Sequence, residues 1–156
     1  MDERLREEIK QSKPFATVEE EFFLSLLRTA DLLNMRLSTT LKPSGLSPTQ
    51  YNVLRILRGA GKAGMACGEI GERMITHDPD ITRLLDRLEK RGLVARSRQE
   101  KDRRVVMASI TSAGLEALRK LDPALAAFQE TELGHVGKKS LATLIDLLAQ
   151  VRRPKE

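Results

Sequence analysis

Arg83 and Arg87 stand four residues apart with Thr82 beside them, and on a helix all three share one face. A short hydroxyl and two guanidinium forks suit hydrogen bonding to phosphate oxygens and to the exposed edges of nucleic-acid bases. A second cationic group lies a few residues further on. From 96 to 104 the chain carries Arg96, Arg98, Lys101, Arg103 and Arg104 against only Glu100 and Asp102. Phosphate is the natural counterpart of that excess.

The residues around the first group predict a short exposed helix. Asp78 is a preferred N-cap, Pro79 suits the first helical position where its missing N–H costs nothing, and Gly92 supplies the permissive residue past the C-terminus. Ile81, Leu84, Leu85 and Leu88 form the buried stripe, leaving Thr82, Arg83, Asp86, Arg87 and Lys90 on the outer face. Asp80 fits less readily beside a polyanion; it either accepts from a cytosine amino group or favours the positive end of the helix dipole. Taken alone this is a solvated amphipathic helix. The residues beyond Gly92 alter that picture: β-prone runs at 93–98 and 105–110 flank a turn charged at five of its six positions, 99–104. Such a hairpin projects into solvent. A capped helix succeeded by a basic hairpin is the order of a winged helix-turn-helix, with the helix in the major groove and the hairpin tip near the adjacent minor groove.

The segment 80–94, the segment 98–106 with its Asp102-Arg103-Arg104 core, the run Ile110-Thr111-Ser112-Ala113-Gly114 and the segment 46–57 together resemble the MarR (multiple antibiotic resistance regulator) family of dimeric bacterial transcription regulators. The recognisable part covers residues 46–115. The resemblance implies that Arg83 contacts a base and that Arg104 is the wing-tip arginine entering the minor groove. Asp102 would then hold the Arg104 fork in a productive rotamer, the alternative being a turn residue that bonds its own backbone. Thr82, Arg87, Arg98, Lys101 and Arg103 complete the expected DNA-binding set. The resemblance also implies repression of transcription, relieved by a small apolar or phenolic ligand lodged between the dimerisation helices and the DNA-binding lobe. No residue identifies that ligand, and no cofactor is implied.

The rest of the chain must carry and pair these elements. Thr17 with Glu20 is a capping-box pattern opening a long helix whose Phe22, Phe23, Leu26, Leu27, Ala30, Leu33 and Leu37 keep helical spacing to about Thr40, where Pro43, Ser44 and Gly45 end it. Ser47, Pro48 and Gln50 repeat the capping logic for a helix apolar nearly all round, the expected centre of the core. After Gly59, Gly61 and Gly64, a short helix with Cys67, Ile70 and Met74 on one face leads through Thr76 and His77 to the recognition helix. From Thr111 onward Leu115, Leu118, Leu121, Leu125 and Phe128 continue as a helix, and a final one carries Leu141, Leu144, Ile145, Leu148 and Val151. The terminal stripes need a cover. A two-fold dimer would supply it and would present two recognition helices to a pseudo-palindromic operator, whereas an intramolecular helical hairpin is the alternative.

This organisation gives an N-terminal arm and dimerisation helix at 1–45, a winged helix-turn-helix at 46–110 and C-terminal dimerisation helices at 111–156, in a mainly α fold with a small β-hairpin wing. A chain of 156 residues with net charge +5 and pI near 9.6 fits that size and a polyanionic partner. The acidic start, the single cysteine and the lack of a long apolar run point to a cytoplasmic protein without a membrane role. Two histidines and one cysteine offer no metal spacing, and no nucleophile elbow or phosphate loop occurs, so no catalytic residue is expected. Cys67, on an apolar face, reads as a buried inert thiol rather than a redox sensor. The competing function is a winged-helix module that sets its basic face against an acidic protein.

Overall fold

The computed structural model describes residues 3–76, 80–99, 102 and 104–153. Its chain divides into two compact units, residues 1–39 and 40–156. In the first, α1 (Glu3–Glu8) precedes the long α2 (Val18–Leu41), which runs into the second unit. The charged N-terminus gave no expectation of α1. It forms around Leu5, which is buried, as is Phe15 in the segment before α2. The capping pattern at Thr17 holds in a shifted form: Thr17 Oγ1 accepts from the Glu20 N–H at 3.1 Å, while Glu20 Oε2 reaches past it to the Ala16 N–H at 2.7 Å. Along α2, Phe22, Phe23, Leu27 and Met35 stay exposed.

The second unit is built on α3 (Pro48–Ala60). Ser47 and Gln50 close both halves of a capping box at its start. Val53, Leu54 and Leu57 are wholly buried. The expectation of an apolar circumference is corrected at Asn52, which is buried too, because its Oδ1 accepts the Ile75 N–H at 2.8 Å and so ties the helix to the turn beyond α4. Arg55 on the same helix is exposed, and Arg58 pairs with Asp122 at 3.0 Å.

On α3 pack α4 (Cys67–Arg73), α5 (Ile81–Lys90), β3 (Val106–Ile110) and α6 (Ser112–Leu133), while β1 (Met65–Ala66) and β2 (Val94–Arg98) flank β3 and α7 (Lys138–Val151) comes last. The strands form an antiparallel sheet in the order β1-β3-β2, with Arg96 opposite Ala108 and Met65 opposite the same residue on the other side. The expected wing had two strands. The third escaped because two residues without β-branching leave no periodicity; what permits it is Gly64, at φ +67°, where a Cβ would collide with the Ala108 carbonyl oxygen. The hairpin is thus anchored at its base rather than free along its length. Thr111 joins wing to α6: its hydroxyl donates to the Gly92 carbonyl at 2.6 Å and accepts the Gly114 N–H at 3.1 Å. Ile70, Leu85, Leu88, Val94 and Leu118 complete the core, whereas α7 buries none of its residues. Among the described residues no helix is long and apolar enough to cross a membrane.

Candidate nucleic-acid interface

Of the stripe expected on α5, Leu84, Leu85 and Leu88 are buried and Ile81, in the first turn, is half-buried, while Thr82, Arg83, Arg87 and Lys90 are exposed. Its start is corrected. The helix opens at Ile81 with Asp80 as N-cap, whose Oδ1 accepts the Arg83 N–H at 3.0 Å; Asp78 and Pro79, expected as cap and first helical residue, lie outside the described residues, as does His77. Capping therefore accounts for Asp80, and a cytosine contact is not needed to explain it. Its second oxygen lies 2.9 Å from Arg83 Nε, so the cap also orients the Arg83 fork, whose side chain is 79% exposed. At the far end Gly92, at φ +69°, closes both bonds of a Schellman motif: Gly92 N–H to Glu89 O at 2.8 Å and Leu93 N–H to Leu88 O at 3.0 Å. Arg91 then donates to the carbonyls of Gly45 at 2.7 Å and Ser44 at 2.9 Å, holding the end of the helix against the turn before α3.

In the wing, Arg98 and Arg104 are exposed. Asp102 Oδ1 accepts the backbone N–H of Arg104 at 2.9 Å, and its carbonyl accepts the Val105 N–H at 3.0 Å. The carboxylate thus shapes the turn by bonding backbone, and does not act as a rest for the Arg104 fork. Lys101 and Arg103 lie outside the described residues.

Arg96 corrects the count of cations available to phosphate. Its Nη2 lies 2.5 Å from Asp86 Oδ1 and 2.6 Å from Glu89 Oε2, its Nε is 3.0 Å from the same Glu89 oxygen, and its backbone N–H bonds Glu89 Oε1 at 3.1 Å. Two carboxylates more than neutralise it. Asp86, placed on the outer face by its spacing, is accordingly turned towards β2. No pattern in the sequence joins a helix residue to a strand residue across the intervening turn, and Arg91 and Asn52 escaped for the same reason.

The Arg96 hydrogen bond, ahead of its charge, holds the Glu89 carboxyl below the usual carboxylate range despite some desolvation. A depressed folded value stabilises the protein above the unfolded value and is lost as pH falls through the folded one. Glu89→Gln should therefore lose less thermal stability than the wild type between pH 6 and pH 3, about the acid range of a carboxylate, as tracked by circular dichroism. An equal loss would show that the pair carries no linkage. Cys67, expected to be buried, is only half-buried at the start of α4; burial pushes its thiol up, partly offset by the positive charge of Arg96.

The MarR family model matches residues 46–106, the span from the start of α3 through the wing. The transcriptional regulator MhqR of Bacillus subtilis is 27% identical over 131 residues, covering 84% of this chain and 89% of that protein. A MarR transcription factor from Planctomyces limnophilus, known from its crystal structure, is 39% identical, with 88% of this chain and 99% of that one covered and a TM-score of 0.68. CouR from Rhodococcus jostii, crystallised with p-coumaroyl-CoA, shares the fold at 22% identity, 91% and 99% coverage and a TM-score of 0.75.

Proposed function

The chain belongs to the MarR family of transcription regulators, and from that premise we propose that it is a homodimeric repressor that docks α5 of each protomer in the major groove of a pseudo-palindromic operator. The observation that carries this reading is the exposed row of Thr82, Arg83 and Arg87 on a helix capped at both ends, beside a wing that presents Arg98 and Arg104. Arg83 is assigned to a base edge, Arg104 to the minor groove, and Thr82, Arg87 and Arg98 to positioning contacts, with Lys101 and Arg103 adding charge at the same tip. The segments 1–45 and 111–156 are assigned to dimerisation.

Selection from random duplexes tests the reading. It should recover an inverted repeat with half-site centres about 34 Å apart, bound with an affinity that falls linearly with the logarithm of salt concentration. Sequence indifference would favour the acidic-protein module instead. The repressor is proposed to answer to a small apolar or phenolic ligand, a reading supported by the aromatic thioester bound to CouR. The selected duplex tests this too: a phenolic acid that regulates must bind the free protein and the complex with different affinities, because coupling is reciprocal.

A further inference from the structure

We propose that Arg96 is a positioning residue that clamps the wing to the recognition helix and thereby sets the separation between the groups that read the two grooves. The inference rests on the roles proposed for Arg83 and Arg104. Arg96 is the only described wing cation whose guanidinium is turned inward: its side chain is 22% exposed, whereas Arg98 and Arg104 are both exposed. Asp86 and Glu89 stand three residues apart, one turn of α5, so a planar fork bridging both resists rotation about the helix as well as sliding along it. The backbone N–H of Arg96 bonds Glu89 as well, so strand and side chain are held together.

The place of this contact along β2 matters as much as its strength. Val94 is buried, but beyond Arg96 towards the tip Ser97, Arg98 and Gln99 are all exposed. On the neighbouring strand, β1 grips β3 only at Met107 and Ala108, and Ala108 is the partner of Arg96. Both anchors of the wing therefore lie at one level. Past it the turn carrying Arg104 is a lever, and a small rotation at Arg96 becomes a larger displacement at the tip. The residue looks in sequence like one more phosphate ligand, yet it faces two negative charges and has no net positive charge to offer DNA.

The two roles separate in experiment. The probe is the highest-affinity duplex that the wild-type protein recovers from a random-sequence selection. Arg96→Met should weaken binding about tenfold with the slope of log affinity against log salt unchanged, whereas loss of one phosphate contact lowers that slope by about 0.9. Arg96→Lys, which keeps the charge and loses the fork, should not rescue it. In a double-mutant cycle Arg104→Ala should cost less than about threefold in the Arg96→Met background after costing about tenfold in the wild type, while Arg83→Ala costs the same in both.

Amide exchange on the free protein provides an arm that needs no DNA. Arg96→Met should accelerate exchange in β2 and β3 by about tenfold and leave α5 unchanged, and Glu89→Gln, which keeps the Asp86 contact, should produce a smaller acceleration. A reduced salt slope with rescue by lysine would make Arg96 a phosphate ligand and overturn the proposal. Unchanged exchange in both variants would overturn it as well. If Arg104→Ala costs nothing in the wild type, the minor-groove reading of Arg104 falls, and the exchange result still decides Arg96.

Discussion

Arg83→Ala is expected to weaken binding to the selected duplex by about 5- to 150-fold, equivalent to about 1–3 kcal/mol, and to relax selectivity at one base position in each half-site. The expectation rests on geometry that is more constrained than the sequence suggested. Asp80 caps the helix through the Arg83 N–H and grips Arg83 Nε, so the fork leaves the first turn of α5 in a fixed direction while most of it remains in solvent. Preorganisation of that kind favours a base edge over a diffuse phosphate contact, since less rotamer freedom is lost on binding. Arg104→Ala should behave differently. A guanidinium inserted into the minor groove responds to groove width, so its loss should be greatest on duplexes with A·T-rich flanks and small where the groove is wide. Selectivity profiles of the two variants, measured on one duplex library, distinguish the roles. Equal and sequence-independent losses would show that both arginines only neutralise phosphate.

The recognition helix was legible because its determinants are local. Leu84, Leu85 and Leu88 declare the buried face by spacing alone, and Gly92 declares the end because a left-handed residue is needed there. The cap was legible in kind and misplaced in position, since Asp78 and Asp80 are both good caps and only the backbone of Asp80, at φ −125° and ψ 57°, with its bond to Arg83 decides between them. The wing was legible as a hairpin through Val94, Val105, Val106 and Ile110, but β1 was not, because its pairing depends on the missing side chain of Gly64 and not on any preference of Met65 or Ala66. What the sequence concealed most completely was charge pairing over distance. Arg96 and Glu89 are seven residues apart on different elements, and Arg91 reaches carbonyls more than forty residues away. A count of cations therefore overestimated what the wing can offer DNA, while the identity of the reading face, which rests on helical periodicity, was unaffected.

The final helix provides the second large effect. All fourteen residues of α7 escape full burial within one chain, and Leu144, Ile145, Leu147 and Val151 are between 47% and 63% exposed. A helix of this length is marginal in water without a packing partner, and so dense a set of exposed aliphatic residues marks an interaction surface. α2 has a similar excess in Phe22, Phe23, Leu27 and Met35. If a second copy covers these faces, Ile145→Glu must bury a charge against apolar neighbours on dimerisation and should yield a monomer at about 10 μM by light scattering, since an unpaired buried carboxylate costs several kcal/mol. The same substitution meets solvent in the single chain, so helicity by circular dichroism should be retained. DNA binding should collapse far more than one lost contact would explain. A dimer engages its second half-site at a millimolar effective concentration, and dissociating it should lower affinity for the two-half-site duplex by about 10²- to 10⁴-fold while leaving binding to an isolated half-site nearly unchanged. A variant that remained dimeric and bound normally would place the dimer interface away from α7. A monomer that bound as tightly as the wild type would show that one recognition helix suffices, and the inverted repeat would lose its physical basis.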